Sequence, residues 1–527
     1  MRTVVPYMIS AGMLAALSTQ TLAQWTEDST DHMVVADGSG EQVQPKLAPA
    51  PDGGTYVSWY SSETGYDVRL QHLDADGNAL WAHNGILVAD RGFSSTQDYD
   101  LDVDSAGYAV LAFRDDRFTG VQVTAQRFAP DGTATWGANG IQFGNGSDFV
   151  ASPDIATTSD GFTVVAWTNN SDTNLAKINP EGTVMWNSSI NTDGGPGVNL
   201  ANMHGSDNGS VIVSWIQFSA FFDPKHMYAQ KIDSDGNEAW KSRAAVLDGG
   251  SLQFGNFPEF TTDGSGGATF SWYDTAAGLN VYAQHLDTNG VEQFTHNGQV
   301  VSTAPRERVA PSAAYDPGTN SVLVSWLELD NNQGSTGIFA QRLDASGTRM
   351  WGDSGVEIDA IDANESGSIN TQMIDGQFVT FWIENGGSFA QDQVLAHALN
   401  SDGSNSWTDL GSGVSNGTVV MASDFAQRAR LTTTVTDDGK AVAAWQIGDF
   451  GVADLETHNL NSDGTLGPST MPCLADLTGD GLLDFFDVSD FLDAFGAQDP
   501  IADFTGDGEF DFFDVSDFLD AFGAGCP

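Results

Sequence analysis

One block of sequence returns from near the start of the chain almost to its end, and it limits the fold more than any other feature. An aromatic residue inside an alternating, β-branched run occurs eight times: "TYVSWY" (Trp59), "VLAFR" (Phe113), "VVAWT" (Trp167), "VIVSWI" (Trp215), "ATFSWY" (Trp272), "VLVSWL" (Trp326), "VTFWIE" (Trp382) and "AVAAWQ" (Trp445). A second mark follows, as in "LQHLDADGNALW" ending at Trp81, "AQRFAPDGTATW" at Trp136, "AQKIDSDGNEAW" at Trp240 and "AQRLDASGTRMW" at Trp351. Its glycine recurs from Gly77 to Gly464, in seven intervals averaging about 55 residues.

Each unit reads as four strands. A first strand meets a turn such as "PDGG" or "TSDG", the aromatic strand follows, and a strand ending in "AQRL" turns through D-G or S-G into the strand that carries the second Trp. Alternation in Tyr56-Val57-Ser58-Trp59-Tyr60 sends successive side chains to opposite faces. Four-stranded units of this period are the signature of propeller blades, with a sandwich array or a solenoid as the competing architectures. The eighth unit stops after "NLNSDGTLG" without its Trp strand, while the N-terminal "QWTEDSTDHMVVADG" supplies a strand with Trp25 in the Trp slot. Ring closure needs such a strand, because it removes an exposed edge. The expectation is an all-β, eight-bladed propeller closed by the N-terminal strand over residues 24–467, with seven blades as the nearest alternative.

The D-x-x-G-x-x-x-W segment is similar to the tryptophan-docking motif of quinoprotein propellers, one residue shorter between Asp and Gly, and differs from the Asp-box of sialidases. Neither activity transfers, and these tryptophans are expected to pack between blades.

Composition narrows function. Lys and Arg number 19 against 71 Asp and Glu, a net charge of -52. Such a surface repels phosphate backbones and anionic membranes and suits divalent cations or a salty medium. Arg2, the apolar run from Val4 to Leu17 and Thr21-Leu22-Ala23 form a secretory signal over residues 1–23, cut ahead of Gln24. No later stretch is long and apolar enough to span a bilayer. A secreted or cell-surface protein is therefore expected. The two cysteines, Cys473 and Cys526, bracket the tail, and in an exported chain this placement favours a disulfide, with processing at Cys526 as the alternative.

After a linker at 468–472, residues 473–527 hold "DFFDVSDFLDAFGA" twice. Each copy overlaps a twelve-residue calcium loop, "DLTGDGLLDFFD" and "DFTGDGEFDFFD". Predicted ligands in the first are Asp476, Thr478, Asp480, Asp484, Asp487 and the carbonyl of Leu482, with Gly481 at the sharp turn. In the second they are Asp503, Thr505, Asp507, Asp511, Asp514 and the carbonyl of Glu509, with Gly508. Two Ca2+ ions are expected, since a hard cation takes six to eight oxygens that would otherwise repel one another. A short helix should follow each loop, with Val488, Phe491, Leu492 and Phe495 on one apolar face, Asp490 and Asp493 off it, and a stop at Gly496. Cys473-Leu474-Ala475 leaves no room for an entering helix and Pro500 interrupts the second approach, so a calmodulin-like switch is disfavoured.

Paired loops with exit helices and terminal cysteines resemble the dockerin module, in the form of the GC-type dockerins of planctomycete-like bacteria. The resemblance covers Cys473 to Pro527 and implies two calcium ions and a surface that engages a cohesin-like partner. Loop positions 10 and 11, the family's recognition positions, are Phe485-Phe486 and Phe512-Phe513 here. Phe in place of small hydroxyl residues, and Thr at position 3, point to a distinct surface receptor rather than a classical cohesin. The competing reading makes these phenylalanines the core of a very small domain.

For the propeller, Asp115 and Asp116 in "FRDDR", Asp274 in "SWYDT", Glu328 in "WLELD" and Glu384 in "FWIEN" are candidate acids that read equally as turn residues. His204 in "NMHGSDNGS" lacks metal-ligand company. No nucleophile elbow, zinc motif or phosphate loop is present, so no catalytic residue is assigned. The leading expectation is a calcium-binding, anchored protein whose propeller binds or scaffolds. A polysaccharide-degrading enzyme delivered by its tail, and a structural envelope component, are the other two readings.

Overall fold

The computed structural model describes residues 25–468, apart from 94–97, 193–194, 221, 254, 276–277, 386–391, 408–413, 416 and 450, and in the tail 475, 477–478, 483, 485–498, 500–502, 504–505 and 510–524. The predicted signal peptide, Cys473, Cys526 and the ligands Asp476, Asp480, Leu482, Asp484, Asp503, Asp507 and Glu509 lie outside the described residues.

Among the described residues the strands form eight antiparallel sheets, six of them in simple sequence order. Blades one to seven occupy residues 42–89, 99–143, 150–190, 197–247, 260–300, 308–362 and 365–422. Blade seven carries an extra two-residue strand, Val414–Ser415, beyond its outer strand. Blade eight is built from Arg428–Val435, Ala441–Ile447 and Asp454–Leu460 and completed by Met33–Ala36, with Met33 opposite Thr457. The eighth unit has no outer strand of its own, and the N-terminal strand covers the edge that this would leave. The expected eight-bladed, N-terminally closed propeller is the fold observed.

The core is a ring of layers between blades. The aromatic strands are buried on both faces, and Trp59, Trp215, Trp272, Trp326 and Trp445 are wholly inaccessible. At the seam, Trp25, Met33, Val35 and Ala36 from one end of the chain pack with Val442 and Leu455 from the other and with Val57 and Trp59 of blade one.

The second tryptophan of each unit has a repeated task. Trp81 Nε1 donates to the carbonyl of Pro130 (3.0 Å), Trp136 to Pro180 (3.1 Å), Trp186 to Ser234 (2.8 Å), Trp240 to Thr288 (2.9 Å), Trp351 to Ser401 (3.2 Å) and Trp407 to Ser462 (3.1 Å). Every acceptor belongs to the D-G type turn of the next blade. That turn's glycine has positive φ and lies under the ring: a Cβ on Gly290 would meet Trp240 at 2.4 Å, and one on Gly182 would meet Trp136 at 2.9 Å. In blade five the slot holds Phe294, which keeps the stacking over Gly347 and loses the donor. These side chains are inter-blade locks, as expected.

In the tail, α1 (Phe485–Ala497) and α2 (Phe512–Ala524) repeat one another. Their equivalent rings Phe491 and Phe518 stack at 4.0 Å with planes 5° apart, over buried Ala475 and Ala502. Two expectations need correction. The first helix runs through Gly496 to Ala497, and the left-handed residue that ends it is Gln498, whose N–H bonds the carbonyl of Phe495. Leu492 is 58 % exposed, because Phe491 and Phe495 already fill the small interface with the other half.

Candidate functional site

The inner strands of all eight blades enclose a channel holding a cavity of about 600 Å3, continuous in its lining with a second of about 420 Å3. The chain builds its wall with a recurring bulge. Gln44, Ser152, Ala310, Ser368 and Arg430 sit in the left-handed region with φ between 46° and 57°, at the same place in five inner strands. Pro45, Pro153 and Pro311 follow three of them. A bulge re-aims the next side chains, and non-glycine residues hold this conformation at a cost of about 1 kcal/mol or more each.

At the level just past these bulges, one residue per blade stands opposite the position preceding the aromatic: Lys46 faces Ser58, Asp100 (on an unbulged strand) Ala112, Asp154 Ala166, Asn202 Ser214, Ser312 Ser325, Asn370 Phe381 and Thr432 Ala444. Glu259, just before the short inner strand of blade five, completes this polar ring. Repeats of about 55 residues thus bring Lys46, Asp100 and Asp154 to one side of the channel.

Lys46 Nζ donates to Asp100 Oδ1 at 3.1 Å. Burial lowers the Lys46 ammonium, but the neighbouring acids, Asp100 first and then Glu259, outweigh it and hold it above its ordinary range. Asp154 is 7 % exposed; its Oδ2 accepts the Met203 N–H at 2.9 Å, and its Oδ1 has no hydrogen-bond partner. Burial and the Asp100 charge raise the Asp154 carboxyl well above the usual carboxylate range. Burial acts on Asp100 too, but the Lys46 charge, with hydrogen bonds from Lys46 and the Ile155 N–H, prevails and keeps it low. The two neighbouring carboxyls are therefore pushed apart, Asp154 up and Asp100 down beside Lys46. One turn deeper, burial raises Asp102, whose oxygens accept from Val103 and Thr157, and His204 sets its ring edge-on to Phe260.

None of the acids flagged from sequence lines these cavities. Asp115 is buried, bonded to Arg117 and Thr124. Asp116 accepts from the Gly92 N–H, and Asp274 from the Ser251 N–H. Glu328 is buried in an ion pair with Arg308 (3.0 Å) and accepts from Trp326 Nε1 (2.8 Å), and Glu384 accepts from Asn364. They latch strand ends together. The channel ring escaped sequence reading because its members lie on the least regular strand; only the prolines after the bulges marked it.

In the tail, position 12 folds back onto position 3 in both loops. Thr478 donates its N–H (3.1 Å) and Oγ1 (3.0 Å) to Asp487 Oδ1, and Thr505 does the same to Asp514 at the same distances. Asp511 presents its N–H to Asp514 Oδ2 (2.9 Å). That N–H, together with that of Thr505, keeps the Asp514 carboxyl below its ordinary range. Asp487 and Asp514 are fully inaccessible. Residues 468–527 contain fourteen Asp and Glu and no Lys, Arg or His. Enclosed carboxylates without a cationic side chain suit a bound cation, so the donor set fits calcium. Among the described residues no three His, Cys, Asp or Glu side chains converge as a metal cluster.

Phe485 and Phe486 are 76 % and 64 % exposed, and Phe512 and Phe513 75 % and 65 %. They do not form the core, which is built from Phe491, Phe495, Phe504, Phe510, Phe518 and Phe522.

No family model matches the chain, and no curated protein matches it. Among solved structures it is similar to an ulvan lyase from a polysaccharide lyase family (11 % identity, 83 % of this chain and 98 % of that one, TM-score 0.46). It is similar also to the Dos1 propeller (12 %, 81 % and 95 %, 0.44) and to a protein of unknown function from Dyadobacter fermentans (11 %, 60 % and 96 %, 0.35).

Proposed function

We propose that this is an exported binding protein, secreted or held at the cell surface, whose propeller engages its ligand while a dockerin-like tail, organised by two calcium ions, attaches it to a protein partner. The observation carrying this reading is the doubled tail geometry. Two enclosed carboxylates are each clasped by the threonine nine residues before them, and each half presents an exposed Phe pair. Phe485-Phe486 and Phe512-Phe513 offer two equivalent apolar contacts to a cohesin-like or other surface receptor. Cys473 and Cys526, joined, would tie the ends of a core too small to be stable alone.

The channel acids do not favour the enzyme reading. Asp100 accepts from Lys46 and from the Ile155 N–H, and Asp154 from the Met203 N–H, so both carboxyls are tied to the channel wall.

Calcium titration of the mature chain by calorimetry tests the proposal. Two ions should bind, and a chelator should remove the helical circular-dichroism signal while leaving the β signal. Substituting the four phenylalanines by Ser should abolish calcium-dependent retention on a cell-envelope fraction without changing either signal. Helices that persist in excess chelator would refute the calcium-organised tail.

A further inference from the structure

We infer that the central channel is a saccharide site that takes the end of a hydroxyl-rich chain at the ring carrying Lys46, Asp154, Asn202, Glu259 and Asn370. This rests on the reading of the propeller as the binding module and assigns its ligand class and its place.

The ring has unspent hydrogen-bonding capacity of both kinds. Asp154, more than nine-tenths buried, lines the outer cavity, and its Oδ1 has no hydrogen-bond partner. Asn202 Oδ1 accepts from the Phe260 N–H (3.2 Å), which leaves its amide hydrogens uncommitted. Asn370 spends its amide group on the carbonyls of Ser368 and Leu431 and keeps its oxygen free. Lys46 uses one donor on Asp100, and Glu259, exposed in the channel, has no hydrogen-bond partner among the described residues. A hydroxyl both donates and accepts, so a polyol satisfies such a mixture where a purely accepting or purely donating ligand does not.

Charge points the same way. Lys46 and Arg430 stand against Asp98, Asp100, Asp154 and Glu259, which leaves the acids in excess. Sulfated or phosphorylated ligands are disfavoured, and neutral or amine-bearing ones fit. Phe257, 42 % exposed beside Glu259, offers an apolar face to the C–H side of a sugar ring. Strands from eight blades surround the cavity on all sides, so an unbranched polymer can enter only by its end.

The test applies the full mature chain to an array of oligosaccharides tethered at their reducing ends, covering neutral, amino and sulfated sugars. The strongest binder is then titrated as free oligosaccharide and as its parent polymer. Binding to neutral or amino sugars is expected, with a stoichiometry of one protein per polymer chain whatever its length. Glu259→Gln and Asn202→Ala should each weaken affinity at least tenfold with unchanged melting temperature. No binding by folded protein, a preference for sulfated sugars, or stoichiometry rising with polymer length would overturn the inference. So would affinity indifferent to both substitutions; the propeller would then remain a binding module with its site elsewhere. The tail variant lacking its four phenylalanines must keep full saccharide affinity, so failure of attachment and failure of the channel site are separately visible.

Discussion

Trp25 and Gly77 meet across the seam where the first and last blades join: the indole lies against the glycine, and its Nε1 donates to the neighbouring carbonyl of Ala75 at 3.1 Å. A Cβ on Gly77 would fall 2.5 Å from the ring, and its φ of 81° disfavours any side chain. The same lock that joins the blades to their successors is used once more to close the ring.

Trp25→Ala should therefore cost about 3 kcal/mol, the usual loss for truncating a buried aromatic, and lower the melting temperature by several degrees. Gly77→Ala should destabilise as well, through both φ and contact. Calorimetric scans with size-exclusion chromatography check this: an opened seam exposes a sheet edge and should add oligomers. Unchanged melting in both variants would mean that the N-terminal strand does not hold the ring.

Glu328 is the clearest case of an acid that is structural. Glu328→Gln leaves Arg308, about 1 % exposed, buried without its counter-charge, and should cost about 3 kcal/mol. Replacing both residues by apolar ones of similar volume should recover most of the loss. Urea melts of the single and double variants measure this; a silent Glu328→Gln would free that residue for another role.

The channel pair predicts a pH dependence with a definite sign. Burial and Asp100 raise Asp154 in the folded protein above its unfolded value near 3.9. Below that value both states are protonated; as pH rises the unfolded chain ionises first, so stability falls until the folded pKa is passed and is then level. Asp154→Asn keeps the side chain's shape and removes the titration. It should melt higher than the parent at pH 7, with the gain vanishing below about pH 4. A difference independent of pH would show that Asp154 carries no raised pKa.

In the tail, Thr478→Val and Thr505→Val each remove a hydroxyl donor from an enclosed carboxylate. A loss of about 1–2 kcal/mol per site is expected, read as a lower helix melting point, together with weaker calcium binding by calorimetry. Variants that match the parent in both would show that position 3 holds neither Asp487 and Asp514 nor an ion.

The locks were legible because each is written locally: D-x-x-G-x-x-x-W places an Asp turn, a positive-φ glycine and a tryptophan within eight residues, and repetition supplies the partner. The helical ends were less legible. Leu492 fits the apolar periodicity of α1, yet two stacked phenylalanines leave it no room, and Gly496 passes within the helix because Gln498 takes the left-handed turn. The channel ring was not legible. Lys46, Asp100 and Asp154 stand about 54 residues apart, two of them on strands whose bulges interrupt alternation, and each is an ordinary polar residue in its own repeat.

Period and alternation by themselves determined the four-stranded unit, the count of eight, the closing strand at Met33–Ala36 and the doubled acidic loops, because each depends on short-range pattern repeated along the chain. Tertiary structure decided what the pattern encloses: that Glu328 faces Arg308 instead of the channel, that Phe485 and Phe512 stand outside the tail's core, and that Asp154 is buried in the channel wall with Asp100. Those outcomes depend on which strands the ring brings face to face, and on how little water is left between them. No local stretch of the chain records either quantity.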